Sequence, residues 1–189
     1  DDGVTANDAG DADTGSNALQ NFPVITQADI SGTDLTLSGT LDTDGSNTQY
    51  RIEFYGNAAG IQDATNGEGQ IYLGSVTVTT NGSGDATFSN ITLSGVTLAA
   101  GDYVTAIATR ITNPAQVGVD DQLAYGSTSE FAVNVVIVSD NLAPTVVNQS
   151  TTVAEGATNV VLTTTDLSST DADTNDASLI YNVGNVTNG

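Results

Sequence analysis

The sequence predicts an all-β protein, a seven-stranded sandwich followed by the beginning of a second one. Three observations lead there. Short β-rich runs are separated by turns rich in Gly, Asn, Asp and Ser. Several runs alternate apolar and polar residues, clearest in Leu35/Leu37, Ile52/Phe54 and Val76/Val78. No segment with helical periodicity is longer than a turn.

Residues 1–22 read as an acidic, irregular lead-in. After "NFPVI" the patterned region begins. Its runs are 23–30 (PVITQADI), 34–41 (DLTLSGTL), 49–55 (QYRIEFY), 70–80 (QIYLGSVTVTT), 85–93 (DATFSNITL), 102–112 (DYVTAIATRIT) and 128–138 (TSEFAVNVVIV). Seven strands in about 115 residues is the size of an immunoglobulin-like sandwich, which places that domain at 23–139. "TNGSGDA" at 80–86 predicts a hairpin turn, with two glycines able to take positive φ. Residues 140–144, "DNLAP", read as a linker, because Pro144 disfavours a continuing central strand. Residues 145–189 form a second patterned region with three strands, too few to close a sandwich. Its missing strands belong either to a longer polypeptide or to another chain. The opening Asp-Asp and the closing "NVTNG" read as cuts from such a polypeptide, with any export signal or anchor beyond them.

The charge is extreme. Twenty-three acidic groups face two arginines and no lysine or histidine, a formal net charge of -21. Self-repulsion on this scale strains a compact state. It excludes nucleic acid and membrane insertion, since nucleic acids and anionic membranes need basic surface and no stretch is long and apolar enough to span. A cation fits better. Without Cys or His, zinc lacks its ligands and disulfides cannot form. Calcium, which takes six to eight oxygens, is the expected cofactor and the expected source of rigidity.

If the sandwich is up-and-down-like, successive strands alternate in direction and the loops collect at two ends. One end gathers the lead-in (Asn7, Asp8, Asp11, Asp13), the second-to-third loop (Asp42, Asp44, Asn47), Asp85, and the sixth-to-seventh loop (Asp120, Asp121). The other gathers Asp29, Asp34, Asp63, Glu68, Asp102 and the linker pair Asp140 and Asn141. The loop "SSTDADTNDAS" brings Asp171, Asp173 and Asp176 toward that linker. Asp-x-Asp spacing, as in Asp11-x-Asp13 and Asp171-x-Asp173, lets two carboxylates of a bent loop converge on one ion. Neither loop has an EF-hand frame. Isolated acids such as Asp85 and Asp102 are read instead as turn residues capping their own backbone.

"DNLAP" (140–144), "VAEG" (153–156) and "TDADTNDASLIYNV" (170–183) resemble the cadherin-like repeats of bacterial surface proteins, especially the chondroitin-sulfate-proteoglycan type. The resemblance implies that Asp140, Asn141, Asp171 and Asp173 are interdomain calcium ligands and that Glu155 serves the next boundary. The first two-thirds, from "GVTANDAGDADTG" through "GEGQIYLGSVTVTTNGSGDATFS" to "STSEFAV", is similar to the immunoglobulin-like module that follows β-helix regions in large exported bacterial proteins. That similarity implies an extracellular or cell-surface setting with neighbouring repeats in the same polypeptide as partners.

The expected function is a non-catalytic structural or adhesion module stiffened by calcium. The alternative is a filament subunit joined to other copies by strand pairing, with "VNVVIVS" (133–139) as the donated strand. An enzyme is not expected: no His, Cys or Lys supplies the usual nucleophile and base. Glycan binding ranks low because there is no Trp and only six Tyr. Arg51 and Glu53 are expected to pair on one face of a strand, and Arg110 to balance a loop acid.

Overall fold

The computed structural model describes residues 3–61, 63, 65–140, 145–147, 156–157 and 168–170. The chain divides into two compact units, Asp1–Ser139 and Asp140–Gly189. In the first unit β1 (Val24–Ser31), β2 (Asp34–Asp42), β3 (Gln49–Asn57), β4 (Ile71–Thr79), β5 (Asp85–Leu93) and β6 (Tyr103–Ile111) match six of the expected runs to within a few residues. Two sheets face each other as a sandwich. One has the order β5-β2-β1 and the other β4-β3-β6.

The alternation seen in the sequence is the packing rule of the core. Leu35, Leu37 and Leu41 of β2 face Tyr50, Ile52 and Phe54 of β3 and Val104, Ala106 and Ala108 of β6, all nearly or wholly buried. Phe54 meets Phe88 edge to face across the core at 5.6 Å. Gly39 makes room for that ring, because a Cβ there would collide with Phe88 and with the Val24 carbonyl. The register shifts at four places among the paired strands, and two of these shifts set which side chains face the core. In β1 the register slips between Ile25 and Gln27, so Ile25, Ala28 and Ile30 all point inward. In the β3–β4 pair the slip falls beside Phe54 and Tyr55, where Tyr55 sits opposite Tyr72 rather than Leu73. Leu73 thereby turns to the core and Tyr72 to the outer face.

Two expectations need correction. The 80–86 segment is a tight turn, with Gly84 at φ 95° and Asn81 Oδ1 accepting from the Ser83 and Asp85 N–H groups at 2.7 and 3.1 Å. It is not a hairpin, however. It carries the chain from β4 in one sheet to β5 in the other. The local turn chemistry is the same in both cases. What decides is that β5 pairs with β2, from Leu35 opposite Leu93 to Asp42 opposite Asp85.

The last run is not one strand either. It is split into β7 (Tyr125–Thr128), β8 (Val135–Val136) and β9 (Val138–Ser139). Ser129 is the physical cause of the first break, since its Oγ takes the Ala108 N–H at 3.0 Å in place of a strand carbonyl. β7 and β8 pair with β6; after Ile137 the chain crosses sheets and β9 pairs in parallel with β1. Ile137 is 1% exposed and belongs to the core of its own unit. A four-residue helix, α1 (Asp121–Ala124), precedes β7.

The chain crosses between sheets repeatedly, so the order is not up-and-down. The registers nevertheless make successive strands from β1 to β7 reverse direction. The lead-in and the β2–β3, β4–β5 and β6–β7 connections therefore share one end. In the second unit β10 (Thr145–Val147) pairs antiparallel with β11 (Ser168–Thr170). The expected cadherin-like character of 145–189 otherwise lies outside the described residues. Among the described residues no helix is long and apolar enough to cross a membrane.

Candidate cation site at the lead-in end

The lead-in has almost no regular structure, and side chains do the fastening that a strand ladder would otherwise do. Asn7 and Phe22 form a reciprocal pair: Asn7 Nδ2 donates to the Phe22 carbonyl at 2.8 Å, and the Phe22 N–H donates to Asn7 Oδ1 at 2.9 Å. Asn21 makes a second such pair. Its Oδ1 accepts the Asp8 N–H at 3.0 Å, and its Nδ2 donates to the carbonyls of Asp8 (2.7 Å) and Asp42 (3.1 Å). Farther along, Gln20 Nε2 donates to the Ala108 carbonyl of β6 at 2.6 Å. These bonds bend 7–13 back over the start of β1. Asp11 completes the bend at φ 52°, a left-handed conformation that Asp tolerates better than most residues.

The bend brings three carboxylates together. One oxygen each from Asp8, Asp11 and Asp13 lies within 4.8 Å of the others. Asp11 is only 5% exposed. Its Oδ1 accepts the Asn21 N–H at 2.9 Å, and Asp8 accepts the Ala12 N–H at 3.2 Å. Asp13 Oδ1 is buried with no hydrogen-bond partner. A buried acceptor left this way costs about 1–3 kcal/mol, more when charged. Burial raises the Asp11 pKa above its ordinary 3.8; hydrogen bonds from the backbone of Asn21 and Asp44 oppose the rise, and the charges of Asp44 and Asp13 add to it.

The neighbourhood adds more negative charge than positive. Asp42 Oδ2 accepts the Gly10 N–H at 3.0 Å. Asp44 pairs with Arg110 at 3.3 Å, as expected of that arginine, so the nearest cation is already engaged. The three aspartates can therefore hold a metal ion. The donor set is oxygen alone, and the orphaned Asp13 oxygen fits a cation better than it fits an apolar surround.

The other expected site residues are placed differently. Asn7 spends both ends of its amide on Phe22 and acts as a fastener. Asp120 caps α1 by accepting the Gln122 N–H at 3.2 Å, and Asp121 accepts the Gly118 N–H at 3.1 Å. Neither joins the three lead-in aspartates. Asp140 is exposed. Asn141, Asp171, Asp173 and Asp176 lie outside the described residues. Asn21 was missed by sequence reasoning. Nothing in the sequence sets it apart, because an Asn before a strand is an ordinary turn residue until its partners are seen.

No protein-family model matches the chain, and no curated protein matches it.

Proposed function

We propose that this chain is a non-catalytic structural module of a larger exported or surface-attached protein, stiffened by calcium at its lead-in end. Asp8, Asp11 and Asp13 would hold the ion. Calcium supplies charge neutralisation there, and water or backbone carbonyls supply the remaining oxygens it needs. The single observation that carries this reading is the convergence of three carboxylates, one with a buried and unpartnered oxygen, in a chain that has no imidazole or thiolate to offer another metal. Calcium is favoured over magnesium because an irregular loop tolerates its flexible coordination.

The chain's own residues do the mechanical work. The Asn7–Phe22 and Asn21–Asp8 pairs already hold the lead-in against the sandwich. Their weakness is the repulsion they enforce among the aspartates. At 4 Å and an effective dielectric of 20, two like charges cost about 4 kcal/mol. A bound divalent ion reverses the sign of that contribution. A segment entering at residue 4 would then be set rigidly on the sandwich rather than hinged to it, which is what a spacer between domains requires.

The experiment is a calcium titration followed by calorimetry and thermal melting. At a calcium concentration a hundredfold above Kd, binding stabilises the folded state by about 2.7 kcal/mol. For a unit of this size that raises Tm by roughly 5–10 °C over the EGTA-treated protein. Asp13→Asn should weaken calcium at least tenfold without lowering the Tm of the metal-free protein. Identical melting with calcium and with EGTA overturns the proposal.

A further inference from the structure

We infer that the outer face of the β4-β3-β6-β7 sheet carries a binding site for an uncharged saccharide, centred on Arg51 and flanked by Tyr72 and Tyr125. This face is separate from the lead-in aspartates and plays no part in the cation reading.

Three of the six tyrosines and one phenylalanine gather there from distant parts of the chain. Tyr55 meets Tyr72 edge to face at 5.6 Å and Phe131 at 5.4 Å. The Arg51 guanidinium lies 5.9 Å from the centre of the Tyr125 ring. Its Nη1 donates to the Tyr125 hydroxyl and its Nη2 to the Tyr72 hydroxyl, each at 3.3 Å. The result is one continuous row of contacts, Tyr125–Arg51–Tyr72–Tyr55–Phe131, that starts on β7 and passes between β3 and β4. The β-bulge is what makes it continuous, since without that slip Tyr72 would point inward and Leu73 outward. Bulges are a recurrent way of re-aiming a side chain near a site. Tyr72 remains 51% exposed, so its ring is accessible to a ligand.

Beside the row is a groove of about 320 Å³ lined by Arg51, Glu53, Thr109, Asp121, Tyr125 and Thr128. That is at the lower end of small-molecule sites, which run from roughly 300 to 1,000 Å³. Its polar groups are of both kinds. Arg51 pairs with Glu53 at 3.0 Å, Asp121 is exposed, and the Thr109 and Thr128 hydroxyls meet at 2.9 Å.

Charge selects the ligand class. An anion would meet Glu53, Asp121 and a chain of net charge -21, and Arg51 is already neutralised. A cation would find Glu53 already taken by Arg51 at 3.0 Å. A flat apolar ligand would strip water from the Arg51–Glu53 pair and from the threonine hydroxyls and return no hydrogen bond to them. A neutral polyol satisfies all three conditions. Its hydroxyls donate to Glu53 and Asp121 and accept from Arg51, while the C–H face of its ring lies on an exposed tyrosine, whose body is apolar and whose tip is polar.

The test titrates the full chain with maltotriose, cellotriose and chitotriose, each to 20 mM at about the scale of weak single-site affinity, and follows backbone amide shifts. The expected result is saturable shifts confined to the neighbourhood of 51–55, 72, 109 and 121–128 with at least one of the three. Tyr72→Ala and Tyr125→Ala should each weaken that binding at least fivefold, with Tyr72→Ala leaving the melting temperature within about 2 °C, as expected of an exposed side chain. Glu53→Gln, which keeps the shape of the groove, should weaken it as well. No saturable shift with any of the three sugars overturns the inference. So does binding that persists within twofold in both tyrosine variants, or that maps elsewhere on the surface.

Discussion

Asp11 and Asp13 concentrate electrostatic tension at the lead-in end. Asp11 is buried beside two other carboxylates, and Asp13 has a buried oxygen with no donor. The folded pKa of Asp11 is raised above 3.8, chiefly by burial. The folded state therefore binds more protons than the unfolded state between the two pKa values, and stability falls as pH rises through that window. The penalty is fully present above the raised pKa and disappears below 3.8. Metal-free protein should accordingly gain stability from this group as pH falls through its raised pKa toward 3.8, while Asp11→Asn should flatten the profile. Urea unfolding at stepped pH in EGTA measures it; a variant with the wild-type slope would remove Asp11 as the source. Asp120 and Asp121 show the opposite fate for the same residue type. They were expected beside the lead-in aspartates, but they serve a helix cap and a turn. Sequence distinguishes the two uses poorly, because capping and metal binding both favour an Asp in a loop.

At the scale of elements, the lead-in behaves as an extra strand built from side chains. Asn21 is its central clamp, with three side-chain hydrogen bonds to Asp8 and Asp42. Asn21→Ala removes all three and leaves buried backbone groups unpaired, at about 2–4 kcal/mol. Equilibrium denaturation should show that loss, together with weaker calcium binding. A change under about 0.5 kcal/mol would mean the lead-in is held some other way. The strands themselves were legible because one face of each is buried, which forces period-two alternation on Leu35/Leu37 and Ile52/Phe54. Three features were not. The β4–β5 connection looks like a hairpin because turn chemistry is local, whereas the sheet that β5 joins depends on its pairing with β2. The final run looks like one strand, but Ser129 interrupts the ladder. In "GQIYLGS" either Tyr72 or Leu73 could face inward, and only the bulge decides. That last choice hid the aromatic row, so a count of tyrosines understated what the face could hold.

Across the whole molecule, the question is how a chain of net charge -21 keeps its loops together. Alternating strand direction concentrates the lead-in, Asp42, Asp44 and Asp85 at one end, as the order of runs in the sequence anticipated. Arg110 answers one of these acids and Arg51 is committed to Glu53 on the outer sheet face. No basic residue remains for Asp8, Asp11 and Asp13, since these two arginines are the only ones in the chain. The most direct measurement is amide hydrogen exchange across residues 4–22 with calcium and with EGTA. A clamped lead-in predicts protection that rises at least tenfold on adding calcium, greatest near Asp11 and Asn21, with strands β2, β3 and β6 changing far less. Equal exchange in both conditions would contradict a cation-locked junction.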